Sequence, residues 1–510
     1  MQTKGQKPQI DWSITIPSLL ILLAISFFFI FANVSSNSLL STIFELTTNV
    51  FGGIYQIYIF LVLLLLGYVS VSKIGNIRLG EGPPPHSTLS WGSMLFCSCI
   101  GSSILYWGLI EWGYYMMSPP FGLEPMSSQA AEISVGYTMF HWGLSGWATY
   151  AMAAVIIAFY YFVKKIPNLR ISVACGFTKE NGKEKFGKIV DTFVIIGLSA
   201  GVAVSAAIGT PMISQGLYHL FGIVPSLVGN IIIALFLAFL FGASAISGIN
   251  KGVKFLSNFN SIIALGFILY VALVGSTSFI ANNAVNSLGV MLQNFSYMSF
   301  YTDPINKSGF PQNWTVFYWA WWISYVPIMG LFIAKISRGR TIRQVAVGTT
   351  IMGSVGSWLF QTVLGGYGID KQLSGSVDTI GKLQAGGDYE AIIALLNSLP
   401  FGNIVIFAFI IITFIFLTTT CDSSAYILAS IATKDITDDM DPSKFCRLLW
   451  SIAIIAWPIV LLIVGGIDAA KLCSVLGSIP ILFIFYKMIR NFLKDVRKYI
   501  DSDFETTMKG

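Results

Sequence analysis

Charge is scarce in this chain of 510 residues: Asp, Glu, Lys and Arg make up 11%, hydrophobic residues 55%, and the mean hydropathy is +0.73. That balance excludes a soluble globular protein, and in a membrane protein the net charge of +6 does not point to nucleic acid. Histidine is nearly absent. His86, His141 and His219 cannot assemble a zinc centre, and Cys97-x-Cys99 has no histidine close by to complete one. The six cysteines, Cys97, Cys99, Cys175, Cys421, Cys446 and Cys473, fall in apolar runs or in loops assigned to the inside, so no disulfide framework is implied. Neither a G-x-x-x-x-G-K-[ST] loop nor an H-E-x-x-H motif occurs, which removes the parts needed for ATP-driven transport and for metalloprotease chemistry. The apolar runs supply no paired carboxylates or metal ligands either, and no enzyme is expected.

What the chain has is long apolar runs, at 14–33, 51–72, 91–111, 135–162, 189–214, 226–248, 260–281, 315–334, 344–366, 401–432, 447–467 and 472–490. Each is long enough to span a bilayer, so twelve transmembrane helices and an all-α integral membrane fold are expected. The first run is too long for a signal-peptide core and lacks a small-residue cleavage site. With the N-terminus inside, every Lys and Arg except Lys307, Lys371, Lys382 and Lys471 falls on one side, which places both termini in the cytoplasm. Both tails are short and polar and leave no room for a soluble domain.

The third run enters from the cytoplasm and the eighth from outside, so two five-helix blocks starting there have opposite orientation, the arrangement of inverted repeats. The expected organisation is a tail and two peripheral helices over 1–90, a first repeat over 91–281, a surface linker over 282–313 that is amphipathic near Val285 to Met298, a second repeat over 314–490, and a cytoplasmic tail over 491–510. In the third helix the run Cys97-Ser98-Cys99-Ile100-Gly101-Ser102-Ser103 is rich in small residues of weak helix propensity. It marks either close helix packing or a local unwinding whose freed backbone groups face a cavity. The run from Gly197 to Gly209 reads as packing.

Trp314 to Tyr325 reads W-T-V-F-Y-W-A-W-W-I-S-Y, a density of electron-rich rings that membrane interiors seldom carry. At 100° per residue Trp314, Tyr318, Trp321, Trp322, Tyr325 and Met329 share one helix face, and Trp319 lies off it. An interfacial belt accounts for Trp314 alone, because Tyr325 sits about 16 Å deeper in a core roughly 30 Å thick. Ring faces at mid-membrane suit a quaternary ammonium, which has no N–H to donate. Asp422, in Thr418-Thr419-Thr420-Cys421-Asp422-Ser423-Ser424, lies inside an apolar run and marks either a functional site or an interhelical hydrogen bond. Thr419 and Thr420 offer hard oxygens to sodium, with carbonyls near Cys97 and Ile100 as partners, or else they are helix-packing hydroxyls. Glu111, ahead of Tyr114-Tyr115, reads either as a buried carboxylate or as a surface one, with a surface or structural role favoured.

The segment Trp314 to Tyr325, followed by Ile336-Ser337-Arg338-Gly339-Arg340-Thr341-Ile342-Arg343, resembles the signature of the betaine/choline/carnitine transporter family. Phe140-His141-Trp142-Gly143, Trp147, Tyr150 and Thr419-Thr420-Cys421-Asp422-Ser423 agree with it, and the resemblance covers essentially the whole chain. Tyr301-Thr302-Asp303-Pro304, Gly309-Phe310-Pro311, Pro119 to Pro125 and Met329 look like its carnitine/γ-butyrobetaine antiporter branch. The resemblance implies a leucine-transporter-like core of two inverted five-helix repeats, a homotrimer in lipid, and a bacterial inner or plasma membrane location. The antiporter's aromatic box falls on Tyr114, Trp314, Trp321 and Trp322, with Met329 beside it; the betaine symporters' box falls on Trp142, Trp147, Tyr150 and Trp322, with Tyr325 replacing a tryptophan. The sodium candidates are Cys97, Ile100, Phe416, Thr419 and Thr420. Where the sodium-independent antiporter has an arginine this chain has Asn260, which leaves a cation site open. The resulting expectation is a sodium-coupled carrier of carnitine, glycine betaine, γ-butyrobetaine or choline, with no other cofactor. The alternatives are a sodium-independent carnitine/γ-butyrobetaine exchanger and, from another class, a cation channel, which needs a continuous polar pore.

Overall fold

The computed structural model describes residues 8–31, 37–98, 101–166, 170–178, 181–247, 250–436 and 440–509, and the described residues are almost entirely helical. Hydrocarbon offers no partner for a backbone N–H or C=O, so apolar runs of this length close their hydrogen bonds within themselves. A helix lies over every one of the twelve runs. The first two are α1 (Trp12–Phe31) and α2 (Asn37–Val71). The third run is split into α3 (Thr88–Cys97) and α4 (Ser102–Met117), and the fourth into α5 (Ser128–His141) and α6 (Leu144–Ala158). After the short α7 (Ile171–Ala174) come α8 (Glu184–Phe221), α9 (Leu227–Ser247) and α10 (Asn250–Val274). The linker is a helix, α11 (Thr277–Phe300), bent 109° from the end of α10. Then follow α12 (Phe317–Ile336) and α13 (Ile342–Leu373), two short helices α14 (Thr379–Gln384) and α15 (Asp388–Asn397), and finally α16 (Gly402–Ile431), α17 (Lys444–Val464) and α18 (Gly466–Lys509).

Among the described residues, eight helices are long and apolar enough to cross a membrane, or ten when each of two bent pairs is one span. The remaining two of the expected twelve are α9, whose described apolar part is only Leu227–Gly242, and α13, which carries Gly, Ser, Thr and Gln through its length. The packing has the symmetry of two exchanged blocks. α6, second in the first block, packs on α12, first in the second; α13, second in the second block, packs on α4, first in the first. The third and fifth members repeat this, α8 with α18 and α16 with α10.

Three interruptions of helix shape the interior. α3 ends at Cys97 and α4 begins at Ser102 at 60° to it, with Gly101 extended, while Cys99 and Ile100 between them lie outside the described residues. α5 stops at His141 because Gly143 turns the chain where a Cβ would lie 2.4 Å from the Met139 carbonyl oxygen and 2.5 Å from Trp358 Nε1. A π-helical turn over Pro311–Val316 widens the start of the eighth span just before α12. The run in α8 is packing, as expected: a Cβ on Gly197 would lie 2.7 Å from the Ile481 side chain.

On the face of the molecule that carries both chain ends, Arg170 donates to Asp11 at 3.0 Å and to the Thr433 carbonyl at 2.7 Å, and Ile10 bridges to Thr433. Burial by itself raises the Asp11 carboxyl, but the Ser13 hydroxyl and the Arg170 guanidinium outweigh it and hold the group below the ordinary range.

Candidate functional site

A cavity of about 320 Å³ lies where α3, α4, α6, α8, α12 and α16 meet. Its aromatic wall is Trp142, Trp147, Tyr150, Trp321, Trp322 and Tyr325; Met329, Ile328 and Phe332 continue it along α12 towards the face with the chain ends. On that side its lining reaches exposed residues, Ser423 among them, whereas Trp107, Glu111, Tyr115 and Tyr318 on the opposite side are fully buried. The site is therefore open towards the face of the termini and closed towards the other.

The rings are held by their edges. Trp142 Nε1 donates to Glu111 Oε2 at 2.9 Å, Trp147 Nε1 to Ser357 Oγ at 3.1 Å, Trp321 Nε1 to the Gly201 carbonyl at 3.2 Å, and Trp322 Nε1 to the His141 carbonyl at 3.0 Å. Every indole N–H of the wall is thus consumed by protein, so the tryptophans show the cavity ring surface and no donor. Around Trp322, Trp147 and Trp142 stand edge to face at 5.6 and 6.3 Å between centroids, and Tyr150 lies tilted against it at 4.7 Å. Glycines make the seats: a Cβ on Gly146 would lie 2.4 Å from Trp322, and one on Gly353 would lie 2.1 Å from Trp147. The tyrosine of α12 is tied as well, Tyr325 Oη meeting Ser205 Oγ at 3.1 Å.

None of the described lining residues is Asp, Glu, Lys, Arg or His. The polar part of the lining is hydroxyl, chiefly Ser102 and Ser103 at the start of α4 and Thr419, Thr420 and Ser423 on α16. Of the sodium candidates, Cys97, Phe416, Thr419 and Thr420 all line the cavity, while Ile100 lies outside the described residues. Thr419 donates its hydroxyl to the Ile415 and Phe416 carbonyls at 3.0 and 3.1 Å, leaving the hydroxyl oxygen as an acceptor. Asn260 is buried and donates to the Ile412 carbonyl at 3.0 Å, while its own Oδ1 has no partner among the described residues. Hydroxyl and carbonyl oxygens of this kind fit a hard monovalent cation.

Tyr114 and Trp314 do not line this cavity. They belong to the layer that closes it, with ring centroids 5.5 Å apart, Trp314 packing edge-on against Trp107 at 5.4 Å and the Tyr114 hydroxyl donating to Asp388. Tyr318, on the same helix face as Trp321 and Trp322, joins that layer too; the rings run on from Trp314 to Tyr318 at 6.5 Å and from Tyr318 to Trp321 at 6.2 Å, and only those from Trp321 onwards line the cavity. Trp319 points away, against Phe140 and His141.

Glu111 is the buried carboxylate of the two readings, and the surface reading is corrected. It is not at the surface: its side chain is fully buried and accepts from Tyr115, Tyr318 and Trp142, with His141 Nδ1 3.8 Å away. A buried carboxylate needs donors on most sides, and these supply them. The sequence offered only one hint, an ionisable residue one turn from Tyr115 in an apolar run. Ser205 and Ser357, which brace Tyr325 and Trp147, carried no signal at all because their partners lie 120 and 210 positions away.

Residues 13–500 match the family model described as BCCT, betaine/carnitine/choline family transporter. The chain is 37% identical over 439 residues to a protein of Escherichia coli (strain K12) described as "Uncharacterized transporter YeaV", an alignment covering 85% of this chain and 91% of that one. Among solved structures it is similar to a Na+-coupled sialic acid symporter in a substrate-bound outward-open state, at 12% identity and a TM-score of 0.36 over 84% of this chain and 81% of that one.

Proposed function

The chain belongs to the betaine/carnitine/choline transporter family, and on that premise we propose that it carries a small quaternary-ammonium compound by alternating access, with sodium as coupling ion. One observation carries the reading: a wall of tryptophans whose N–H groups are all engaged and which therefore offers only ring faces. An ammonium with four alkyl groups has no N–H to satisfy and is attracted by those faces, at about 0.5 to 2 kcal/mol for each well-placed ring. Trp142, Trp147, Tyr150, Trp321, Trp322 and Tyr325 form the cage, and Met329 lines its open end.

The absence of formal charge among the described lining residues favours a zwitterion. A net-neutral guest such as glycine betaine, carnitine or γ-butyrobetaine brings its own counter-charge into the low-dielectric interior, whereas choline leaves a cation uncompensated. The carboxylate is then oriented by the free backbone N–H groups where α4 begins, at Gly101 to Ser103. Sodium is assigned to the oxygens of Cys97, Phe416, Thr419 and Thr420, with Ile100 as a further candidate. Both termini face the cytoplasm of a bacterial cell, so the cavity is open inward, and the closed far side speaks against a continuous channel. The functional unit is taken to be a homotrimer in the inner membrane.

Met329 at the cavity favours a second reading, sodium-independent exchange of carnitine for γ-butyrobetaine. Uptake of radiolabelled carnitine and glycine betaine into proteoliposomes separates the two. A sodium gradient stimulates uptake under the first reading. Under the second, uptake ignores sodium and requires γ-butyrobetaine inside; absence of saturable uptake of any of these compounds overturns both.

A further inference from the structure

Lys471 is one of the four basic residues on the far side of the positive-inside count, yet it is not a loop lysine reaching into water. It lies in the first turns of α18, and its Nζ stands 5.2 Å from the ring centroids of Trp107, Trp314 and Phe317 alike. All three distances fall within the range in which an aromatic face attracts a cation. No described carboxylate forms an ion pair with it within 4.0 Å. The acidic groups that act on it from a distance are Asp468 on its own helix, Asp388 on α15 and Glu111 on α4. Asp388 is already engaged by the hydroxyls of Tyr106 and Tyr114 at 2.6 and 2.5 Å, and Glu111 by those of Tyr115 and Tyr318 and by Trp142.

We propose that Lys471 is a tethered stand-in for a cationic guest: in the state closed on the far face its ammonium fills the cage of Trp107, Trp314 and Phe317, and opening of that face requires it to leave. The rings come from α4 and from the entry to α12, which lead the two exchanged blocks, and the lysine comes from α18. A single ammonium therefore ties together three elements that have to separate when access alternates. Because one cage holds one cation, an ammonium compound arriving from the far face competes with Lys471 for the same ring faces and releases the tie as it binds. The inference needs neither a particular substrate nor sodium.

Native Cys97 supplies the probe, since it lines the cavity and is partly exposed there. In proteoliposomes with the termini inside, a membrane-impermeant maleimide is added outside, and labelling of Cys97 is followed by peptide mass spectrometry. The native protein labels slowly. Lys471→Ala raises the rate at least about fivefold, a change equivalent to about 1 kcal/mol. Lys471→Arg stays near native, and methylammonium added outside raises the rate of the native protein while leaving the already fast alanine variant unchanged. Lys471→Met keeps the apolar stem and labels fast as well, so the charge is tested even if the alanine variant does not fold. Unchanged labelling in both variants overturns the proposal, and so does a native rate that methylammonium fails to raise, because the fast variants then report loosened packing and not an emptied cage. Uptake assays are not involved, so failure here is distinct from failure of the substrate assignment.

Discussion

Trp322 and Trp319 are neighbours within one turn of α12, equally large and almost equally buried, at 6% and 1% exposed. Truncating either to alanine removes the same side chain from a packed interior and costs about 3 to 5 kcal/mol of stability. Their effects on binding diverge. Trp322 meets the rings of Tyr150, Trp147 and Trp142 and forms a face of the cavity, whereas Trp319 packs against Phe140 and His141 outside it. Trp322→Ala removes one ring face and lets Tyr150 and Trp147 relax from their orientation, so about two faces are lost. At 1 to 1.5 kcal/mol each, that is roughly 2 to 3 kcal/mol, or a 30- to 150-fold rise in Kd. Trp319→Ala changes Kd less than about threefold. Calorimetric titration of glycine betaine and carnitine into monodisperse, detergent-purified protein measures both, with tryptophan fluorescence as a second signal. Equal losses in the two variants refute the assignment of the cage, since a shared folding defect then accounts for both.

Gly353→Ala places a methyl 2.1 Å from the Trp147 ring, and overpacking of this kind costs about 1 to 3 kcal/mol; substrate affinity falls with it, while Gly53→Ala, with nothing within 4 Å, leaves thermal stability and Kd near native. Replacing Thr419 and Thr420 together by valine raises the sodium concentration for half-maximal uptake at least about tenfold, because two hydroxyl oxygens are exchanged for methyls of similar shape; an unchanged sodium profile removes both residues from the ion site. Asp11, held below the ordinary carboxylate range, lends its tie to Arg170 fully above about pH 4 and loses it as the pH falls through the lowered value. Asp11→Asn therefore lowers the thermal midpoint at pH 7 and makes progressively less difference below pH 4, as read in melting curves across that range. A constant difference at all pH values contradicts the ion pair.

Long-range order in this protein follows from features that a linear reading can detect. The apolar runs, the one-sided lysines and arginines, and the density of rings from Trp314 to Tyr325 are properties of composition and period, and they prescribe a helical membrane protein with aromatics at mid-depth. The small residues from Cys97 to Ser103 left packing and unwinding open, because weak propensity permits both; among the described residues α3 ends at Cys97 and α4 starts at Ser102, 60° apart. The face shared by Trp314 and Trp322 continues through Tyr318 in the folded chain, but only its deeper rings reach the cavity, because Trp314 meets Trp107 and Tyr114 from α4 first. Glu111 looked ordinary because a single carboxylate carries no record of its donors; Tyr318, 207 positions along the chain, is one of them. The same is true of Lys471, whose charge is countable from the sequence but whose partners are three rings brought together from α4, the π turn and α12. Period and composition are local and one-dimensional, so they determine which segments enter the bilayer and what chemistry they carry. Which side chain finishes a hydrogen bond or fills a cage depends on contacts between segments hundreds of residues apart, and only the tertiary packing decides that.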